Sequence, residues 1–154
     1  MYLITRIEGV AKVEQVFKNM PRSTARRVSM QALRAGGTIV REAAQTNIST
    51  VSKPYTGFLS RRGAVALYNY RKYRGAFRVG VQIRRGYMNT RKLVNGEPVR
   101  VGLYASVLEY GKKNQAPRSW IRRAITEKES EARAAILKEV SNRLEQAVKE
   151  AGGI

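Results

Sequence analysis

Residues 64–83 read AVALYNYRKYRGAFRVGVQI. Phe77, Val79, Val81 and Ile83 alternate with Arg78, Gly80 and Gln82, the period of a half-buried strand. Ala66, Tyr68 and Tyr70 repeat the period and supply a hairpin partner, with the turn near Arg74-Gly75. The residues on either side follow a different period, and that contrast sets the fold class.

Upstream, Val10, Val13, Phe17 and Met20 recur at helical spacing, so residues 9–20 read as a short helix that Pro21 ends. Ser23 or Thr24 then caps a longer helix with Ala25, Val28, Ala32, Ala35, Ile39 and Ala43 on one stripe, widened by Leu33, Val40 and Ala44. Arg22, Arg26, Arg27, Arg34 and Arg41 take the other faces. Gly36-Gly37 interrupts the stripe. The pair fits either a close approach to a sheet or a break in the helix. Residues 49–63, rich in Ser, Thr, Pro and Gly, read as a long loop.

Downstream, 84–98 reads as a second long loop with a tight turn at Asn95-Gly96. Val99, Val101 and Leu103 alternate as a further strand, with Pro98 at its edge or at a bulge. Ser119 caps a C-terminal helix whose stripe is Ala132, Ile136, Val140, Leu144 and Ala147, and Gly152-Gly153 ends it. The expectation is one α+β domain spanning 1–154, ordered α-α-β-β-β-α. An antiparallel sheet of three to four strands is packed by the long N-terminal helix and the C-terminal helix.

Composition narrows the chemistry. The 154 residues hold 30 Lys/Arg against 11 acids, all Glu, a net charge of +19. Cys, His and Asp are absent, which removes disulfides, Cys- or His-ligated metal sites and His-dependent nucleophilic triads. Residues 49–108 carry 12 cations and a single acid, Glu97. Such an excess repels itself in a compact chain, and a polyanion or acidic neighbour offsets it. The cations expected to face DNA or an acidic partner are Arg61, Arg62, Arg71, Lys72, Arg74, Arg84, Arg85, Arg91 and Lys92. Tyr68, Tyr70 and Tyr73 interleave with Arg71, Lys72 and Arg74, which suits base stacking or, equally, strand tyrosines packed on a helix. The glutamates before residue 109 are scattered singly and those after it follow helical spacing, where pairing with Lys/Arg is the simpler account. No enzyme activity, cofactor or metal is expected. No apolar run is long enough to cross a membrane, so a soluble protein with no membrane partner is expected.

Glu109 stands alone between Leu108 and Tyr110, and such a carboxylate must be solvated, paired with a cation such as Arg118, or offered to another chain. Three short motifs occur in order: Lys53-Pro54-Tyr55-Thr56-Gly57-Phe58-Leu59-Ser60, Leu108-Glu109-Tyr110-Gly111, and Ala116-Pro117-Arg118-Ser119-Trp120-Ile121-Arg122-Arg123-Ala124. Together, over roughly residues 7–150, the chain resembles the tail-completion, or minor tail, proteins of long-tailed double-stranded-DNA bacteriophages. It departs from them at Lys112, where that family usually has Thr, and at Arg118-Ser119, which separates Pro117 from the aromatic. The resemblance implies a non-enzymatic virion protein at the head–tail junction, made in the host cytoplasm and assembled as a ring, commonly a hexamer, around passing double-stranded DNA. It implies contact with a head connector or stopper, a tail terminator or the tape-measure end. Assembly or loop-fixing roles then fall to Pro54, Thr56, Gly57, Glu109, Tyr110, Gly111 and Trp120. A stand-alone, sequence-blind nucleic-acid-binding protein is the competing expectation, and a small ribonuclease using Tyr70 or Glu109 a third.

Overall fold

A computed structural model describes residues 17–52, 59, 64–73, 76–94 and 97–150. After a helical turn at 17–19, the elements are α1 (Arg22–Ser52), β1 (Val65–Tyr73), β2 (Ala76–Ile83), α2 (Arg85–Met88), β3 (Arg91–Val94), β4 (Glu97–Arg100), α3 (Val101–Tyr110) and α4 (Trp120–Glu150). Most of the helix expected over 9–20 lies outside the described residues.

α1 and α4 each run 31 residues, about 46 Å at helical rise, and lie antiparallel. The direction follows from two contacts. The Asn47 amide donates to the Trp120 carbonyl, while Gly36 lies against Ala132 and Ile136. Along α1 the inward positions are Val28, Ala32, Gly36, Val40, Ala44 and Ile48, a row of every fourth residue. Such a row winds slowly around the helix. Its first half therefore meets α4, and its second half meets the core formed by Leu59, Val65, Ile83, Val101, Tyr104, Leu108 and Trp120.

The helix does not break at Gly36-Gly37. A Cβ on Gly36 would stand 2.6 Å from Ile136 Cγ1 and 2.8 Å from the Ala132 carbonyl oxygen. A Cβ on Gly37 would stand 3.0 Å from Val79 Cγ1. One glycine thus admits α4 and the next admits the hairpin. α1 also continues to Ser52, past the 49 at which a loop was expected. Thr46, Ser49 and Thr50 turn their hydroxyls back onto the carbonyls four residues earlier, and Ile48 is wholly buried. The back-bonded hydroxyls are satisfied within the helix, and burial of Ile48 holds helical a run that looks like loop composition.

Among the described residues the strands do not form one sheet of three to four members. They form two antiparallel ribbons, β1–β2 and β3–β4. β1 and β2 pair in the register Val65↔Ile83, Leu67↔Val81, Tyr68↔Gly80, with an irregularity between Tyr70 and Tyr73. The expected turn at 74–75 falls between the strands, outside the described residues. Val101 and Leu103 are helical rather than extended: Val101, Tyr104, Ala105 and Leu108 are buried at helical spacing, while Leu103 is 60% exposed. Three alternating residues fit either period, and only the next turn decides. Likewise 84–98 is not a long loop, since it holds α2 and most of the β3–β4 hairpin.

Candidate functional site

The sequence motifs around Glu109 and Trp120 meet where α3 hands over to α4. Gly111 ends α3 with φ +78, and a side chain there would run into the Gln115 carbonyl oxygen at 2.6 Å. Lys112 and Gln115 then exchange two backbone hydrogen bonds of 2.9 Å, closing a tight turn. The Arg118 N–H donates to the Leu108 carbonyl at 2.7 Å, which brings the chain back over α3. Trp120 is buried, and its indole N–H donates to the Ala105 carbonyl at 3.0 Å.

Glu109 is the one charged side chain buried among the described residues, 2% exposed. Its carboxylate accepts the backbone N–H of Ile121 at 2.7 Å and of Arg122 at 3.2 Å. These are orphan donors of the first turn of α4, so Glu109 caps that helix from a neighbouring one. The cap was expected from Ser119. Ser119 instead sits at φ +43, and its carbonyl accepts the first helical bond, from the Arg123 N–H, while Glu109 receives the intervening N–H groups of Ile121 and Arg122. The ion-pair partner is Arg122, whose Nε lies 3.1 Å from Glu109 Oε1 and whose Nη2 donates to the Glu109 carbonyl. Arg118, the cation expected there, turns to the C-terminal end of α1 and donates to the Val51 carbonyl at 2.8 Å. An anion at one helix start and a cation at another helix end both match the helix dipoles. Tyr110 is 73% exposed, with the Arg122 guanidinium 5.8 Å from its ring centroid.

Pro54, Thr56, Gly57, Arg61, Arg62 and Arg74 lie outside the described residues. Leu59 is buried, and Gln45 ties it down: the Gln45 amide donates to the Leu59 carbonyl at 3.1 Å and accepts the Val65 N–H at 3.0 Å. One helical side chain thus fixes both sides of the 60–64 connection, a role for which the sequence carries no signal.

The described cations fall into three groups of different character. On α4, Arg123–Glu127, Lys128–Glu131, Arg133–Glu129 and Arg143–Glu139 pair within the helix at 2.6–2.8 Å. Glu127 is held below the ordinary carboxylate value chiefly by the hydrogen bond from Arg123, with Asn47 and Lys128 assisting. On α1 the sequence places no acid between Arg22 and Arg41, and Arg22, Arg26, Arg27 and Arg34 are exposed. Cations in a first helical turn oppose the dipole, so this placement is not made for local helix stability.

A further group is Arg84, Arg85, Arg91 and Arg100, all exposed, on the segment that leaves β2 and enters the second ribbon. Three of these were expected from sequence, and Arg100 was not. The Asn95-Gly96 turn signalled it, because a two-residue loop pairs 94 with 97 and hence 91 with 100. Tyr68 sits on the ribbon face away from Leu67, and its hydroxyl accepts the Arg85 N–H at 2.7 Å. The Arg85 guanidinium lies 5.1 Å from the Tyr68 ring centroid. Tyr68 therefore braces the arginine segment rather than packing on α1. Arg71 and Lys72 belong to β1. Among the described residues no three acidic side chains converge as a metal site requires. No helix of the described residues is long and apolar enough to cross a membrane.

No family model, curated protein or solved structure matches the chain.

Proposed function

We propose that the chain is a structural, non-catalytic protein that completes a phage tail or neck, assembling as a ring around the DNA passage at the head–tail junction. The observation that carries the reading is the exposed arginines Arg84, Arg85, Arg91 and Arg100, which share their segment with a single acid, Glu97, while Glu109 and four glutamates of α4 are paired with cations elsewhere. Passing DNA must be held loosely and without regard to sequence, which backbone electrostatics provides and base contacts do not. The resemblance supports the reading from another side. Glu109, Gly111 and Trp120 of its motifs are the residues that fix the α3–α4 junction, so the motifs describe a shared scaffold rather than a reaction centre.

In such a ring the neighbours are other copies of this chain, a head connector or stopper, a tail terminator and the tape-measure end, and the location is the virion. Among the described residues each two-stranded ribbon has open edges, and pairing with a neighbour's ribbon would build the sheet of three to four strands between chains. The test is native mass spectrometry and negative-stain imaging of the purified protein, alone and with duplex DNA. Closed rings support the proposal, and a monomer at every concentration, with or without DNA, opposes it. The second reading, a stand-alone nucleic-acid-binding protein, draws on the same arginines and predicts tight duplex binding by the monomer.

A further inference from the structure

Pro98 fixes the parity of the β3–β4 ladder. A proline nitrogen has no proton to give, so inside a hairpin it suits a pair that exchanges no hydrogen bonds. Leu93↔Pro98 is that pair, which makes Lys92↔Val99 bonded and Arg91↔Arg100 again unbonded. The next position agrees, because the Val101 N–H donates to the Thr90 carbonyl at 2.9 Å. In an unbonded pair the Cα atoms approach to about 4.5 Å, and the side chains are closer than at bonded positions.

Arg91 and Arg100 are therefore two like charges at the tightest spacing an antiparallel ladder offers, on one face and both exposed. Val99 packs against the core, so alternation turns Arg100 outward. Glu97 shares the parity of Val99 and stands on the other face. Like charges directly opposite each other destabilise a hairpin. By the same rule this pair opposes hairpin stability in the free protein, and an anion between the two would reverse the sign.

We propose that Arg91 and Arg100 form a clamp for one backbone phosphate of duplex DNA. Each guanidinium presents a planar fork of N–H donors that matches phosphate oxygens, and one phosphate between them converts repulsion into two charge-assisted contacts. Arg84 and Arg85, exposed six to seven residues earlier in the same segment, bring its exposed arginines to four, more charge than a single small anion neutralises. A ligand with charge repeated along its length fits that set. The inference rests on reading this surface as DNA-facing.

The experiment uses the full chain, its R91Q, R100Q and double variants, and R143Q on α4 as control. Affinity for a random-sequence duplex is measured against salt, and thermal midpoints are measured without DNA. The expected result has three parts. Either single variant loses about tenfold in affinity, one charge-assisted contact. The double variant loses little more, because both arginines serve one phosphate, and its salt slope falls by about 0.9. Without DNA the single variants melt higher than wild type, while R143Q binds as wild type does.

Steep salt-dependent binding that is unchanged in the double variant would overturn the clamp and leave the DNA-facing reading standing. Absence of salt-dependent duplex binding by wild type would overturn both. Binding of polyglutamate, but not of duplex, that the double variant loses would overturn the clamp in favour of an acidic protein partner. Inorganic phosphate that raises the midpoint of wild type alone, with DNA binding equal in all variants, would reduce it to a small-anion site.

Discussion

Replacing Glu109 with Ala removes the acceptor of two helix N–H groups and of the Arg122 side chain in one step. The magnitude follows from what each partner does next. Losing a helix N-cap costs about 0.5–2 kcal/mol. A hydrogen bond to a charged group contributes about 1.5–3 kcal/mol, and the Ile121 bond at 2.7 Å is the shortest of the set. Arg122 adds little, because its side chain is 60% exposed and water replaces the carboxylate. The two ranges describe the same N–H bonds and do not add; the charged acceptor places Glu109→Ala at the upper end, about 3 kcal/mol. Glu109→Gln keeps one carbonyl acceptor and the packing, and should cost about 1–2 kcal/mol. Arg122→Ala should cost less than about 1 kcal/mol, since the backbone donors still satisfy the carboxylate. Urea unfolding followed by far-ultraviolet circular dichroism gives the three values. In melting experiments Glu109→Ala should appear as a fall of roughly 6–12 °C. If Glu109→Ala lay within about 0.5 kcal/mol of wild type, or if Arg122→Ala cost more than Glu109→Ala, the carboxylate would not be the cap that holds α4.

Other outcomes follow from contacts elsewhere in the fold. Gly36→Ala gains about 1 kcal/mol of helix propensity but sets a methyl against the Ala132 carbonyl at 2.8 Å, so chemical denaturation should show a net loss of about 1–2 kcal/mol. Gly37→Ala meets only side-chain atoms, at 3.0 Å and beyond, and the same assay should place it within about 1 kcal/mol of wild type. Gln45→Ala removes the acceptor of the Val65 amide, and hydrogen exchange at Val65 should quicken while exchange in α4 stays as it was. Glu127 should titrate below its ordinary value of 4.5 by carboxyl NMR, and Arg123→Gln should move it back up. A lowered folded value means that the contribution of Glu127 is complete above the ordinary value and fades as pH falls through the folded one.

The long helices were legible because their stripes run for many turns, and the β1–β2 hairpin because its alternation is sustained over nine and eight residues. Short segments misled. Val99 does lie in a strand, β4, but Val101 and Leu103 continued its period by coincidence, and the buried set Val101, Tyr104, Ala105 and Leu108 that makes α3 helical becomes visible only when read as one turn further. The 46–52 stretch has loop composition, yet its hydroxyls return to their own helix, a choice that burial of Ile48 settles and local composition cannot. Glu109 was conspicuous as a lone acid in an apolar context, but its cap partners lie 12 and 13 residues away across a turn. Gln45 left no trace, since a polar residue inside an amphipathic helix looks like any solvated one. The arginine cluster was visible as composition. Its sharpest feature, Arg91 opposite Arg100, required a register.

The account turns on a cationic subunit built to work beside DNA at the joint between head and tail. If the proposed role holds, the gene belongs to a phage, and deleting it there and imaging the lysate tests the role most directly. The account requires DNA-filled heads and tails lying apart, with joined particles restored when the intact gene is supplied in trans. Normal numbers of joined, infectious particles without it would contradict the account.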